Sequence, residues 1–194
     1  MTALRIETII AASPHAVFTC WTFANMISHW LCNRAIVNAR DGHTYSLIWD
    51  DGHWAAGTFT HVELNSSMSF SWTEANSPGK TSIELTLIPE GINTRLVLVQ
   101  AGFGDGQEWE DYRSGLATGW AEMLDDLKTL LETANDPRYL RRPTIGVNFE
   151  PLSDDRRAAL GIAEPYGIGL TIVPVEGPAG KAGLLAGDVL LVLN

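Results

Sequence analysis

From Trp109 to Leu130 the apolar side chains Trp109, Tyr112, Leu116, Trp120, Met123, Leu127 and Leu130 recur every three or four residues. That period winds them into one stripe along a single helix, and an apolar stripe this long must be covered by another layer. The sequence before it is almost wholly strand-like, and all seven tryptophans of the 194-residue chain fall within its first 120 residues. The pattern predicts an α+β fold in which one amphipathic helix lies over an antiparallel sheet, with aromatic rings between them. Indoles in such numbers are hard to pack without gaps, so a partly hollow interior is expected, with room for an apolar guest.

Residues 3–11 alternate as a first strand, and Ser13-Pro14 supplies an N-cap followed by proline at the first helical position. Val17, Cys20 and Trp21 form the inner face of that helix, and a second short helix is predicted from Asn25 to Leu31. From Arg34 to Gly102 the chain reads as strands joined by tight turns. Tyr45, Leu47 and Trp49 alternate before Asp50-Asp51-Gly52. Trp54 to Leu64 is a long strand with Gly57 as a bend or bulge. Phe70 and Trp72 alternate before Asn76-Ser77-Pro78-Gly79, and the strands at Ile83–Leu87 and Thr94–Val99 flank Glu90-Gly91. The covering helix is predicted from Gln107 to Glu132. Gly115 and Gly119 lie inside it, where each costs about 1 kcal/mol relative to Ala. Close approach of helix to sheet is the expected return, with space beside Trp120 as the alternative.

Composition changes near residue 135. Residues 1–135 carry a formal charge of −9 and the remainder −1, an acidic balance that argues against nucleic acid or an anionic membrane surface as partner. MTALRIETII has a strand-like rather than a secretory pattern, and no apolar run approaches the roughly 18–20 residues that span a bilayer. A cytoplasmic protein is expected, with Cys20 and Cys32 as buried free thiols. Asn135-Asp136-Pro137 ends the long helix, giving boundaries of 1–135, a linker at 136–142, and a second module at 143–194. That module reads as Ile145-Gly146-Val147, a helix from Ser153 to Leu160 stopped by Gly161, a strand at Leu170–Val175, and a turn, short helix and strand in EGPAGKAGLLAGDVLLVLN.

Residues about 3–133 resemble the helix-grip fold of the START-like (SRPBCC) superfamily, and within it the heat-shock-chaperone ATPase-activator homologue family. The likeness rests on Ser13-Pro14 with Val17-Phe18, Trp30-Leu31, the Trp49–Gly52 turn, Gly57 with Phe59, Phe70-Ser71-Trp72, Thr94 with Leu96, and Gly119-Trp120 before Leu124 and Leu127. Asp41-Gly42 departs from the Gly-Gly pair of many relatives. Residues about 142–194 resemble the opening of a bacterial, HtrA-like PDZ domain: Thr144-Ile145-Gly146-Val147 as its carboxylate-binding loop, then Gly177-Pro178-Ala179, Lys181–Leu184 and Gly187–Leu190. The resemblance implies that the backbone N–H groups of Ile145, Gly146 and Val147 bind a peptide C-terminus. About 52 residues follow Arg142, fewer than an ordinary module, so a partial PDZ-like module without a competent groove is expected.

No catalytic constellation stands out. His15, His29, His43, His53 and His61 lack metal-ligand spacing, and Cys20, His29 and Cys32 lack a fourth ligand. No P-loop, GxSxG elbow or dinucleotide fingerprint occurs, so no metal or cofactor is expected. Glu108 and Asp111 read as solvated charges at a helix start. The residues expected to line an apolar cavity are Trp30, Trp49, Trp54, Phe59, Phe70, Trp72, Trp109, Tyr112, Leu116 and Trp120, with His61 and Tyr112 as polar groups that orient the guest. A non-enzymatic module for a small apolar or aromatic ligand is the leading expectation. A chaperone-facing adaptor and an aromatase/cyclase-like enzyme stay open; the latter requires a buried titratable group in the cavity. The apolar edge in VLLVL leaves a homodimer open as well.

Overall fold

The computed structural model describes residues 3–137 and 145–192. Residues 138–142 of the expected linker, Thr144 of the expected loop and Leu193-Asn194 lie outside the described residues. The chain divides into two compact units, Met1–Arg141 and Arg142–Asn194.

In the first unit, β1 (Leu4–Ile10) leads into α1 (Pro14–Thr22). The Ser13 side chain accepts a hydrogen bond from the Ala16 N–H, and Val17, Phe18, Cys20 and Trp21 are buried. Regular helix in α2 runs only from Ala24 to Ile27. The N–H groups of Trp30 and Leu31 then both donate to the Ile27 carbonyl, at 3.2 and 2.9 Å. Ile27, Trp30 and Leu31 still turn inward as the sequence predicts. Six strands follow: β2 (Arg34–Val37), β3 (Thr44–Ile48), β4 (Trp54–Glu63), β5 (Ser67–Glu74), β6 (Thr81–Glu90) and β7 (Asn93–Ala101). Each pairs antiparallel with the next, and β1 joins β7, giving one seven-stranded sheet in the order β1-β7-β6-β5-β4-β3-β2.

Two local features shape the sheet beneath the site. At Gly57 a Cβ would stand 1.8 Å from the Ser71 carbonyl oxygen, so only glycine lets β4 approach β5 this closely. The Tyr45 hydroxyl donates to that same carbonyl at 2.8 Å, while the Thr58 N–H donates to Ser71 Oγ at 3.0 Å. Two residues further along, the register shifts between Phe59 and His61: Phe59 faces Phe70, but His61 faces Ser69. This bulge reverses which face the following residues present.

The long helix α3 (Gln107–Thr133) ends at Ala134, a left-handed cap whose N–H donates to the Leu130 carbonyl. Trp120, Leu124 and Leu127 are its most buried apolar residues and join the core made by the strands, α1 and α2. Its last turns are tied to β1 and the turn beyond it: Lys128 Nζ donates to the Ile9 carbonyl at 3.0 Å, and the Ala11 N–H donates to Glu132 Oε1 at 2.9 Å.

The second unit contains β8 (Asn148–Pro151), α4 (Asp154–Leu160), β9 (Ile168–Ile172), α5 (Pro178–Lys181) and β10 (Val189–Leu190), with its strands in the order β10-β9-β8. Ser153 caps α4 and Gly161 terminates it in a left-handed conformation. The strand expected at Leu170–Val175 begins and ends earlier, and Val175 is exposed.

Candidate functional site

Three of the predicted aromatics, Trp30, Phe59 and Phe70, fill the tightly packed part of the core. Trp30 is 1% exposed, with its indole N–H donating to the Cys20 carbonyl at 2.9 Å. Phe59 and Phe70 pack on each other and on Tyr45 with ring centroids 5.4–5.5 Å apart. The void among Trp21, Tyr45, Phe59, Phe70 and their neighbours is only about 20 Å³, room for about one water molecule.

A larger cavity, about 270 Å³, lies between the middle of α3 and the β4–β5 end of the sheet. Trp72 and Trp120 form its inner wall, with centroids 5.3 Å apart. Trp120 is fixed by a buried relay: its indole N–H donates to Gln100 Oε1 at 2.8 Å, and Gln100 Nε2 donates to Thr81 Oγ1 at 2.9 Å. Trp49 and His53, 4.9 Å apart and edge to face, stand on the opposite side. Tyr112, Leu116 and Met123 descend from the helix. Between them Gly115 and Gly119 also line the cavity, and a Cβ added at either would meet nothing within 4 Å. The expectation that these glycines serve close helix–sheet approach is corrected here: they leave space.

The structure brings together Trp49, Trp72, Tyr112, Leu116 and Trp120 of the predicted set. The others do not line this cavity. Trp54 is 43% exposed because strand alternation puts it on the opposite face from buried Ala55 and Phe59. His61 is exposed because the bulge turns it away from Phe59's face. Trp109 packs instead on Phe103 and Tyr112, above Gly104, where a Cβ would come within 2.4 Å of its indole nitrogen.

Two polar residues absent from the sequence expectation complete the site. His53 Nε2 donates to Glu74 Oε2 at 3.3 Å, with the two side chains 35% and 11% exposed. The Trp72 indole N–H and the Tyr112 hydroxyl are buried without a well-formed hydrogen bond, the hydroxyl lying against both Glu74 and Trp72. Burial, and then the negative Glu74 alongside, push the Tyr112 phenol well above its ordinary range. A signal for Glu74 did exist: in Phe70, Trp72, Glu74 the period of two places it on the inward face. The same parity places His53 with Ala55 and Phe59.

Among the described residues no cluster of His, Cys, Asp or Glu is arranged to hold a metal; Cys20 and Cys32 are buried and not disulfide-bonded, and the Cys32 thiol donates to the Arg34 carbonyl at 3.3 Å. No helix among them is long and apolar enough to cross a membrane. In the second unit Gly146 takes φ +67°, and the Ile145 carbonyl accepts the Ala179 N–H at 3.2 Å.

A seven-stranded antiparallel sheet holding one long helix over a lined cavity defines the helix-grip, START-like class. Residues 11–132 match the family model for Activator of Hsp90 ATPase homolog 1-like protein, and the chain belongs to that family. Among solved structures, the chain is similar to the Aha1 dimer from Colwellia psychrerythraea, at 22% identity and TM-score 0.61, covering 70% of this chain and 99% of that one. It is also similar to DynU16, from the dynemicin biosynthetic locus, at 16% identity and TM-score 0.64, covering 88% and 76%. A curated relative, a probable periplasmic serine endoprotease DegP-like protein of Brucella suis, is 42% identical over 55 residues. That match takes in 28% of this chain and 11% of the relative, so the chain spans about a tenth of that protein's length.

Proposed function

We propose that the first unit binds a small, largely apolar ligand in the cavity beneath Gly115 and Gly119. The observation that carries this reading is the missing pair of side chains. A 27-residue helix accepts two glycines over a space of about 270 Å³ that three indoles surround. An engineered apolar cavity of about 150 Å³ already admits benzene, so this space suits a guest of one or two rings. The test is native mass spectrometry of the full chain purified without detergent, followed by tryptophan-fluorescence titration with aromatic ligands. A discrete adduct, or saturable quenching that Gly119→Leu abolishes, supports the reading; a bare mass and a flat titration for both proteins would sink it.

A protein-facing role has separate support. The family is described by a chaperone ATPase activator, and the first unit carries the acidic balance of the chain. An adaptor of this kind would retain a chaperone on a column whether or not the cavity is filled. Among the described residues the outer edge of β8 in the second unit, directly after Ile145-Gly146-Val147, has no strand partner, and it offers a place for an added peptide strand. The DegP-like match favours that use. The acid–base alternative is supported by the His53–Glu74 pair, the titratable group that reading requires, and predicts turnover that Glu74→Gln removes.

A further inference from the structure

The lining of the α3 cavity is charged on one side only. Glu74 is its single carboxylate, and no Lys or Arg lines it. The carboxylate is 11% exposed, and its hydrogen-bond partner is His53, an imidazole rather than a fixed cation. A carboxylate this far from water gains most from a cation brought beside it. Around it stand Trp49, Trp72, Trp120 and Tyr112, whose ring faces attract a desolvated cation and do so best for indole. The Trp72 N–H and the Tyr112 O–H add two buried donors that complete no well-formed hydrogen bond, although the hydroxyl lies against Glu74 and Trp72. Outside the cavity, the formal charge of −9 on residues 1–135 steers cations toward this unit.

We propose that the preferred guest is an organic ammonium ion that also carries an oxygen acceptor, its cationic head between the indoles and Glu74 and its oxygen on the Trp72 and Tyr112 donors. The inference rests on the reading of this cavity as a ligand site and adds the chemical class. An apolar guest would bring Glu74 no counter-charge beyond its His53 contact and the two donors no better acceptor, and an anionic guest would meet Glu74 with like charge. An ammonium ester or alkanolamine answers all three groups.

The test compares two probes of nearly the same shape on the full-length chain: acetylcholine and its uncharged carbon isostere, 3,3-dimethylbutyl acetate. Both are titrated by tryptophan fluorescence at low ionic strength. The expected result is about tenfold tighter binding of the cation, a preference that shrinks in high salt and falls in Glu74→Gln to the share the indoles supply, clearly below the wild-type ratio. Equal affinity of the two probes for the wild-type chain overturns the cation preference and leaves the ligand site standing. Binding of neither, with Gly119→Leu indistinguishable from wild type, overturns both. The wild-type ratio decides without any variant, so a poorly folding Glu74→Gln does not blunt the test. Circular dichroism and melting of that variant show whether its own ratio counts.

Discussion

Two aromatic regions of the first unit face each other across Trp72, and they are packed differently. Around Trp21, Trp30, Tyr45, Phe59 and Phe70 the rings interlock edge to face and leave about 20 Å³. Around Trp49, Trp72, Tyr112 and Trp120 a similar set of rings leaves about 270 Å³. Aromatic content does not explain the contrast, and the expectation that many indoles alone make a hollow interior was too general. The hollow lies where α3 presents two hydrogens in place of side chains. Edge-to-face geometry lets large rings fill space well when neighbours come from several elements, as they do beneath α1 and α2.

The largest effect should come from truncating one tryptophan on each side. Trp30→Ala removes a 1%-exposed indole and its bond to the Cys20 carbonyl, and should lower unfolding free energy by about 3–5 kcal/mol in urea titration. Trp49→Ala, at the wall of an existing cavity, should cost clearly less; equal losses would show that the two regions pack alike. Glycine substitutions sharpen the comparison with opposite signs. Gly57→Ala drives a Cβ into the Ser71 carbonyl and should destabilise. Gly119→Ala meets open space and should stabilise by up to about 1 kcal/mol through helix propensity while weakening any guest. A destabilising Gly119→Ala would mean that the helix sits closer to the sheet than described.

The smallest effect is set by pH. Burial pushes the Cys20 thiol from 9.0 up to about 11, and burial also raises Tyr45 and Tyr112 above their ordinary range. A raised folded-state value means that the stabilising contribution is complete below pH 9 and is lost as pH climbs through 11. Denaturation midpoints should therefore be level from pH 7 to 8.5 and fall above it. Cys20→Ala should soften the fall; an unchanged slope would move its cause to the tyrosines. Cys20 should also resist alkylation at pH 8 in the folded chain.

Much of this architecture was legible because it is periodic. The α3 stripe, the Ser13 cap and the strand alternations each follow from local chemistry, and the seven-stranded sheet with its covering helix follows from their order. The site was half legible, for reasons that differ residue by residue. Trp54 and His61 were misplaced: strict alternation excludes the first from the face of Phe59, and a bulge that falls between Phe59 and His61 rather than at Gly57 reverses the second. Glu74 and His53 shared the inward parity of their strands, but polar residues beside turns read as solvent-facing. Their pairing depends on β4–β5 register, which the alternation within either strand leaves undetermined. Gly115 and Gly119 were visible as anomalies, yet a glycine in a helix means contact or emptiness according to what stands opposite, and that is tertiary information.

The position of β1 at the far side of β7 has a consequence in time. Leu4 pairs with Gln100 and Ile10 with Thr94, so β1 has no partner until β7, the last strand of its sheet, has been made. The α3 side chains that tie down its end, Lys128 and Glu132, arrive later still. Pairing over such separations carries a large loop-closure cost and slows folding. The chain can assemble its central hairpins while it is being made, but β1 closes the sheet only after β7, and its end is tied down only once α3 is available.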